Sequence, residues 1–159
     1  MVSATESAAE QGLRAQLVAA GLRVTSPRLA TLSIVAEHQH AETDEIAALV
    51  RARLGSVSTQ AVYGVLQALT DAGLVRRVAT DTRSAARYEI HRHDNHHHLL
   101  CRVCGRLVDV PCVIGAAPCL EPSDAQGFDV EAADVLFRGV CAACQEASVS
   151  GGDVVTPVG

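Results

Sequence analysis

Two Cys-x-x-Cys pairs restrict what this chain can fold into more than any other feature. Cys101 and Cys104 form the first pair, and Cys141 and Cys144 form the second pair near the end of the chain. Four thiolates in two such pairs are the ligand set of a closed tetrahedral zinc site. We therefore predict a structural zinc site in which the two pairs, each at a strand end, meet across a small domain. A redox dithiol and two unrelated pairs are the alternatives.

Two further cysteines, Cys112 and Cys119, stand outside these pairs. Most buried thiols behave as small apolar residues, so we assign them no site, and a disulfide between them is the alternative. The first ten residues lack the basic region and apolar segment of a secretion signal. No apolar run approaches the roughly 18 residues that a membrane span needs. We therefore expect a cytoplasmic protein without a membrane partner, in which paired thiols hold metal more often than they form disulfides.

A histidine-rich segment directly before the first cysteine pair predicts a second metal site. His96 and His98 fall in a predicted strand, where alternate side chains share a face and His97 points to the other face. Imidazole and carboxylate ligands suit an exchangeable divalent transition metal. A purely structural role for these histidines is the alternative. The other candidate ligands are His40, Glu89 and Asp109.

The charge of the chain is divided unevenly. Residues 11–92 hold ten arginines against seven acidic residues, whereas residues 93–159 hold three arginines against nine acidic residues. Together with two acids in the first ten residues, this gives the net charge of −5. A positive N-terminal half fits a DNA-reading domain joined to an acidic domain, although a solvated helical surface would give the same count.

Apolar periodicity predicts helices followed by a hairpin in the N-terminal half. One helix is expected around Leu13–Leu22, one from a Ser26 cap, one from Thr43, and one from a Ser58 cap to Gly73. The strands Leu74–Val78 and Ala86–Ile90 follow, joined by a polar loop. This order is the winged helix-turn-helix plan.

The C-terminal half reads as a small α/β domain. Strands are predicted at 97–101, 106–110 and 134–140, with a helix or irregular segment at 114–125. The fold class is therefore α+β. The predicted organisation is a disordered tail at 1–10, a winged-helix DNA-binding domain at 11–91, a metal-binding domain at 92–146 and a flexible tail at 147–159.

A recognition helix needs small polar or planar groups on its exposed face, and its N-terminus can meet phosphate. The predicted fourth helix has such a face, and arginines on the hairpin and first helices could hold the DNA backbone. The alternative is that these residues only face solvent. The candidate DNA-binding residues are Arg23, Arg28, Ser58, Thr59, Gln60, Tyr63, Arg76 and Arg77.

The chain resembles the ferric uptake regulator (Fur) superfamily over roughly residues 13–146. The matching stretches are 21–28, 60–76, 87–89, the histidine-rich Cys-x-x-Cys-Gly segment and 139–144. The resemblance implies a homodimeric winged-helix repressor whose C-terminal domain dimerises and whose metal fixes the DNA-competent arrangement. It implies no enzymatic activity and no small organic substrate.

The resemblance also assigns residues to two metal sites. Cys101, Cys104, Cys141 and Cys144 resemble the family's structural Zn²⁺ ligands. The residues that resemble its regulatory Fe²⁺ or Mn²⁺ ligands are His40, Glu89, His96, His98 and Asp109. Arg23 matches a basic minor-groove residue, and Tyr63 matches the tyrosine of the recognition helix.

Four departures from the family pattern refine the expected function. Gly64 stands where the family usually has arginine, and Ala133 and Asn95 replace histidines of an additional site. Asp109 occupies a position that is typically aspartate in peroxide-sensing members and glutamate in iron-sensing ones. The chain is therefore most similar to the actinobacterial FurA/CatR branch of peroxide-responsive (PerR-like) repressors.

That branch implies a function in which the repressor binds operator DNA and controls a catalase-peroxidase gene and its own gene. The alternative within the family is an iron-sensing repressor of iron-uptake genes. Outside the family, a small metalloenzyme would need a general base that is not already a candidate metal ligand. A zinc-ribbon interaction module would not need the histidine cluster.

Overall fold

The computed structural model describes residues 8–78, 85–92, 96–111, 124, 126–129 and 135–150. The helices are α1 (Ala8–Ala19), α2 (Ser26–Glu37), α3 (Thr43–Leu54), α4 (Thr59–Asp71) and α5 (Ala142–Ser150). The strands are β1 (Ala41–Glu42), β2 (Val75–Val78), β3 (Arg87–Ile90), β4 (His96–Cys101), β5 (Leu107–Pro111) and β6 (Leu136–Gly139). The predicted α+β class is confirmed. The chain divides into two compact units, Met1–His93 and Asp94–Gly159.

Four helices enclose the core of the first unit. Each contributes at least one side chain without solvent exposure, including Leu17 of α1, Leu32 of α2, Ile46 of α3 and Leu66 of α4. Each such aliphatic side chain contributes about 1.5–3 kcal/mol to folding. The predicted apolar faces of these helices therefore form the core that holds α4 in place.

Side-chain caps set the starts of two helices. Ser58 Oγ accepts a hydrogen bond from the Ala61 amide at 3.1 Å, as predicted for α4. The cap of α2 is Thr25 rather than the predicted Ser26. Thr25 is extended, with φ −134°, and its Oγ1 accepts from the Arg28 amide at 3.5 Å. Pro27 then lies in the first turn, where its missing N–H costs no hydrogen bond.

A three-stranded sheet completes the first unit, in the order β1-β3-β2. The antiparallel pair β2–β3 confirms the predicted hairpin and places Arg76 opposite Glu89. The short strand β1 pairs with β3 through Ala41 and Tyr88, and it was not predicted because two residues carry no periodicity. The hairpin loop, with Arg83, lies outside the described residues.

The two terminal helices reach into stretches that were predicted as tails. Helix α1 begins at Ala8, three residues before the predicted domain start, and α5 continues to Ser150. Alanine, glutamate and glutamine have high helix propensity, and Glu10 lies favourably in the first turn of α1. Within the described parts of the chain, no helix is long and apolar enough to cross a membrane.

The second unit contains a sheet in the order β5-β4-β6. Strand β5 pairs antiparallel with β4, with Asp109 opposite His98, and β6 runs parallel to β4, with Phe137 opposite Leu99. All three strands were predicted to within two residues. Most of the predicted 114–125 segment lies outside the described residues, as do Cys112 and Cys119. The central position of β4 places the histidines and Cys101 on one strand.

Candidate metal centres and nucleic-acid interface

The four paired cysteines come together in the second unit. Their sulfur atoms lie within 4.8 Å of one another, and Cys104 Sγ and Cys141 Sγ are 3.8 Å apart. Sulfur atoms about 2.3 Å from a central zinc in a tetrahedron would be about 3.8 Å apart. All four cysteines are free. The cluster therefore has the donor type, number and spacing that a structural zinc ion requires.

Strand ends and short backbone bonds position these cysteines. Cys101 ends β4 and Cys104 follows in the turn, whereas Cys141 follows β6 and Cys144 lies in the first turn of α5. The Cys141 amide donates to Cys101 Sγ at 3.3 Å. Gly105 has φ +72°, a conformation that favours glycine, and its amide donates to the Cys101 carbonyl at 2.9 Å. Each pair is thus folded around its own turn.

The thiols of the cluster differ in their tendency to ionise. Amide donors, first that of Cys104 and then that of Cys141, lower the pKa of Cys101 to about 6. Hydrogen bonds within the cluster, first with the Cys141 side chain and then with Cys104, raise the pKa of Cys144 to about 12. Four negative charges in one small volume repel one another, so a divalent cation favours full deprotonation and proton release accompanies metal binding.

One histidine–carboxylate pair lies in the first unit. His40 Nε2 and Glu89 Oε2 are 2.9 Å apart, and Glu89 is only 1% exposed. His40 has φ +64°, a left-handed conformation that few residues other than glycine adopt. Its amide donates to the Tyr88 carbonyl at 2.8 Å, and Gln39 Oε1 accepts from the Ile90 amide at 3.1 Å. The backbone before β1 is therefore fastened to β3 with the His40 ring at Glu89.

Arg76 contacts the other oxygen of the same carboxylate. Its Nε donates to Glu89 Oε1 at 2.7 Å, between cross-strand partners of the β2–β3 hairpin. A buried carboxylate requires such a partner, because an isolated charge is costly away from water. Arg76 was predicted to contact the DNA backbone, but its guanidinium is engaged by Glu89.

A second histidine–carboxylate pair lies in the second unit. His98 Nε2 and Asp109 Oδ1 are 3.5 Å apart on neighbouring strands. The His96 ring lies beside that of His98, with the ring centroids 5.0 Å apart. His97 is buried on the opposite face, edge-on to Phe137. His96 and His98 are therefore the histidines of this strand that can bind the same metal ion.

The exposed face of α4 carries two of the predicted DNA readers. Gln60, Tyr63, Gly64 and Gln67 are exposed at the spacing of one helical face. The Tyr63 hydroxyl donates to Asp44 Oδ1 of α3 at 3.2 Å. A polar and planar surface therefore projects from the helix that follows the Ser58 cap.

The other predicted DNA-binding residues lie at the start of α4 or on other elements of the first unit. Ser58 Oγ serves the cap, and Thr59 Oγ1 accepts from Arg51 at 3.1 Å. Arg23 is exposed, and its carbonyl accepts from Arg28 at 3.0 Å. Arg77 is exposed on β2, next to Arg76. These three arginines and the partly exposed Arg76 stay predicted phosphate contacts.

Comparison with known proteins identifies the family of this chain. The model of the ferric uptake regulator family matches residues 19–135. The chain belongs to the ferric uptake regulator family. It is 54% identical over 121 residues to ferric uptake regulation protein 1 of Mycolicibacterium fortuitum, which covers 76% of this chain and 74% of that protein. It is 50% identical over 135 residues to transcriptional regulator FurA of Mycobacterium tuberculosis, with 85% and 91% covered.

A more distant relative and a solved structure extend the comparison. The peroxide-responsive repressor PerR of Staphylococcus epidermidis is 30% identical over 138 residues, with 83% of this chain and 87% of that protein covered. The structure of the Helicobacter pylori ferric uptake regulator Fur superposes with a TM-score of 0.62 at 21% identity, covering 85% and 90% of the two chains. It has the same fold. Members of the family are metal-dependent transcriptional regulators, which confirms the prediction of a regulator rather than an enzyme.

Three supporting residues were not found from the sequence. Gln39 fastens the His40 turn, Asp44 holds Tyr63, and Arg76 holds Glu89. Arg76 could have been found from the hairpin register, which places it opposite Glu89. Nothing in the sequence pattern indicates the contacts of Gln39 or Asp44, because both depend on the packing of separate elements.

Proposed function

We propose that this regulator is a metal-dependent, peroxide-responsive repressor that binds operator DNA as a homodimer in the cytoplasm. Its targets would be a catalase-peroxidase gene and its own gene. One observation carries the proposal, namely that each unit holds one histidine–carboxylate pair. His40 and Glu89 belong to the first unit, and His98 and Asp109 belong to the second unit.

A metal ion that takes ligands from both pairs would couple the two units. Such an ion binds one arrangement of the units better than others, so it shifts the population toward that arrangement. His96, beside His98, is the fifth proposed ligand. Nitrogen and oxygen donors in this number suit Fe²⁺ or Mn²⁺, whereas the thiolates of the cysteine cluster suit Zn²⁺. Zinc on the cluster would stabilise the second unit.

DNA reading is assigned to α4 and to the exposed arginines of the first unit. Gln60 and Tyr63 would face base edges in the major groove, with the helix start at Ser58 and Thr59 directed at phosphate. The proposed phosphate contacts are Arg23, Arg28, Arg76 and Arg77. These contacts are salt-dependent, so operator affinity should fall steeply as salt rises.

Dimerisation is assigned to an apolar row on the second sheet. Leu99 on β4 lies in register with Val108 on β5 and with Phe137 on β6. These side chains are 42%, 40% and 41% exposed. A contiguous apolar row of this kind is typical of a surface that a partner covers. A second copy of the chain is the proposed partner.

The peroxide response is supported by the similarity to PerR and by aspartate at position 109. When bound, Fe²⁺ would supply the redox chemistry that splits the O–O bond of peroxide. His40 or His96 is the ring proposed to be oxidised. One H2O2 gives one oxygen atom to a ring carbon and its other oxygen leaves as water, so the ring loses the two electrons that peroxide gains. An oxidised ring is a poorer donor, so metal affinity and DNA binding would be lost together.

The decisive experiment measures operator binding by the zinc-loaded dimer with Mn²⁺ or Fe²⁺, before and after peroxide. Peroxide should release the Fe²⁺ form but not the Mn²⁺ form, and mass spectrometry should find added oxygen on a ligand histidine. His98→Ala should abolish metal-dependent binding, whereas His38→Ala, at an exposed histidine, should not. Oxidised cysteines with zinc loss, and unmodified histidines, would instead indicate a thiol switch.

An iron-sensing repressor is the second candidate, and the M. fortuitum relative named for ferric uptake favours it. That function requires release by iron depletion and indifference to peroxide. The same titration separates the two functions, because only the peroxide-responsive repressor loses DNA while Fe²⁺ remains in excess.

A further inference from the structure

Arg76 occupies one oxygen of a proposed metal ligand. Glu89 Oε2 faces His40 Nε2 at 2.9 Å, and Glu89 Oε1 accepts from Arg76 Nε at 2.7 Å. The Arg76 side chain is 23% exposed and the Glu89 side chain 2%. The buried carboxylate therefore has one oxygen toward a candidate ligand and the other toward a permanent cation.

We propose that Arg76 is a built-in counter-cation that lowers the affinity of the regulatory site and keeps its metal exchangeable. This inference rests on the proposed function of His40 and Glu89 as ligands. The guanidinium stays charged at every physiological pH. The strand register places Arg76 directly opposite Glu89, so the guanidinium lies beside the carboxylate whether or not a metal is bound.

Two consequences follow for a divalent ion at Glu89. Oε1 accepts from Arg76 and Oε2 faces His40, so an ion at Glu89 would share the carboxylate with the guanidinium and would compete with it for the negative charge. An ion bound to Glu89 would also lie close to the positive charge of Arg76, which contacts the same carboxylate. Like charges at such distances repel strongly where water is scarce, so binding is weaker than the ligand set alone would give.

A purely structural role for Arg76 makes the opposite prediction. If the guanidinium only holds Glu89 in place, neutralising it should misplace a ligand and weaken metal binding. If it competes for the carboxylate charge, neutralising it should tighten metal binding. The sign of the affinity change therefore distinguishes the two roles, and a general loss of structure cannot imitate tightening.

The test uses the zinc-loaded full-length dimer, titrated with Mn²⁺ at pH 8 while free Mn²⁺ is followed by electron paramagnetic resonance. Arg76→Gln removes the charge and keeps one hydrogen bond to Glu89. We expect it to bind Mn²⁺ at least about tenfold more tightly than the unmodified chain. Arg76→Lys keeps the charge and should stay within about threefold of it. Arg53→Gln, which removes the arginine of another arginine–carboxylate pair in the same unit, that with Glu37, is the matched control, and its Mn²⁺ affinity should not change.

Unchanged or weaker binding by Arg76→Gln would overturn the proposal. Circular dichroism establishes that the variant is folded, and Arg76→Met carries the same expectation should the glutamine variant not fold. If the unmodified chain takes up no Mn²⁺ beyond the zinc cluster, the proposed function fails and this inference fails with it. Binding by the unmodified chain with no gain in either neutral variant overturns the role of Arg76 alone.

Discussion

The Tyr63 hydroxyl on α4 donates its hydrogen bond to Asp44 Oδ1 on α3, 3.2 Å away. Because the proton is directed at Asp44, the phenolic oxygen can only accept hydrogen bonds in a DNA groove. It therefore suits the amino group of adenine or cytosine. The hydrogen bond to Asp44 also raises the pKa of Tyr63.

Asp44→Asn should weaken the hold on the Tyr63 hydroxyl, because a neutral amide oxygen is a weaker acceptor than a carboxylate and the amide nitrogen can donate to the phenolic oxygen instead. We expect the pKa of Tyr63 to fall toward its ordinary value, measured by titrating the ring resonances. Discrimination between operator and scrambled DNA should fall by a factor on the order of ten, measured by fluorescence anisotropy. Asp71→Asn, at the end of α4, is the control and should alter neither the pKa of Tyr63 nor the discrimination. Unchanged discrimination in Asp44→Asn would show that Tyr63 reads no base edge.

Gly64→Ala should stabilise the chain. Gly64 lies inside α4, and a Cβ there would meet no atom within 4 Å. Glycine within a helix costs about 0.5–1 kcal/mol relative to alanine, so the free energy of unfolding should rise by about that amount in a urea titration. Gly73→Ala is the matched control. Its surroundings are equally open, but φ is +68°, so it should destabilise.

Loss of one thiolate should release the proposed zinc. Cys104→Ser leaves three cysteines in a cluster that fits a four-coordinate ion. We expect zinc content to fall from one ion per chain to well below one, with a lower melting temperature. Atomic absorption and thermal unfolding measure the two effects. Cys119→Ser removes a cysteine that belongs to neither Cys-x-x-Cys pair and should keep its zinc. Full zinc retention by Cys104→Ser would argue against the four-thiolate site.

A charge in the apolar row should prevent self-association. Phe137→Glu places a carboxylate at the β6 end of the apolar row of Val108, Leu99 and Phe137, where burial against a second copy would strip it of water. We expect monomers in sedimentation velocity at micromolar concentration. Phe128→Glu is the control, because Phe128 is 79% exposed and lies outside the row. A dimer that persists in Phe137→Glu would place the interface elsewhere.

The Glu37–Arg53 pair should give a small stabilisation that depends on pH. Arg53 donates to both oxygens of Glu37 and, with Ser33, lowers the pKa of this carboxyl below its ordinary value of 4.5. A carboxyl whose pKa is lower in the folded chain than in the unfolded chain stabilises the protein at pH values above the ordinary pKa. This contribution is lost as the pH falls through the pKa of the folded chain. Both side chains are nearly half exposed, so Arg53→Gln should cost less than about 1 kcal/mol at pH 7. The loss should vanish below the folded pKa, and a loss that persists there would indicate packing instead.

The candidate site residues could be proposed from local sequence signals, whereas the residues that hold them in position could not. Cysteine spacing and strand alternation identified the cluster and separated His97 from His96 and His98, because both signals are local. The apolar faces of α2, α3 and α4 were read in the same way. The predicted cap of α2 is Ser26 and the observed cap is Thr25, since both residue types can cap a helix and only the backbone conformation decides.

The geometry that depends on separate elements was not predicted from the sequence. The left-handed turn at His40 is held by a strand of two residues, which leaves no periodic signal. The contact of Arg76 with Glu89 was not predicted, because the charge of the arginine is visible in the sequence and its partner across the hairpin is not.

The parallel pairing of β4 with β6 has an evolutionary consequence. Cys101 lies opposite Gly139, so this pairing brings together two cysteine pairs that are far apart in the sequence. The entropy of closing the connection between them rises only slowly with its length. Insertions and deletions between β5 and β6 can therefore accumulate during divergence while the thiolates and the apolar row keep their places. The length of this segment is one property by which relatives can diverge without losing the metal centre.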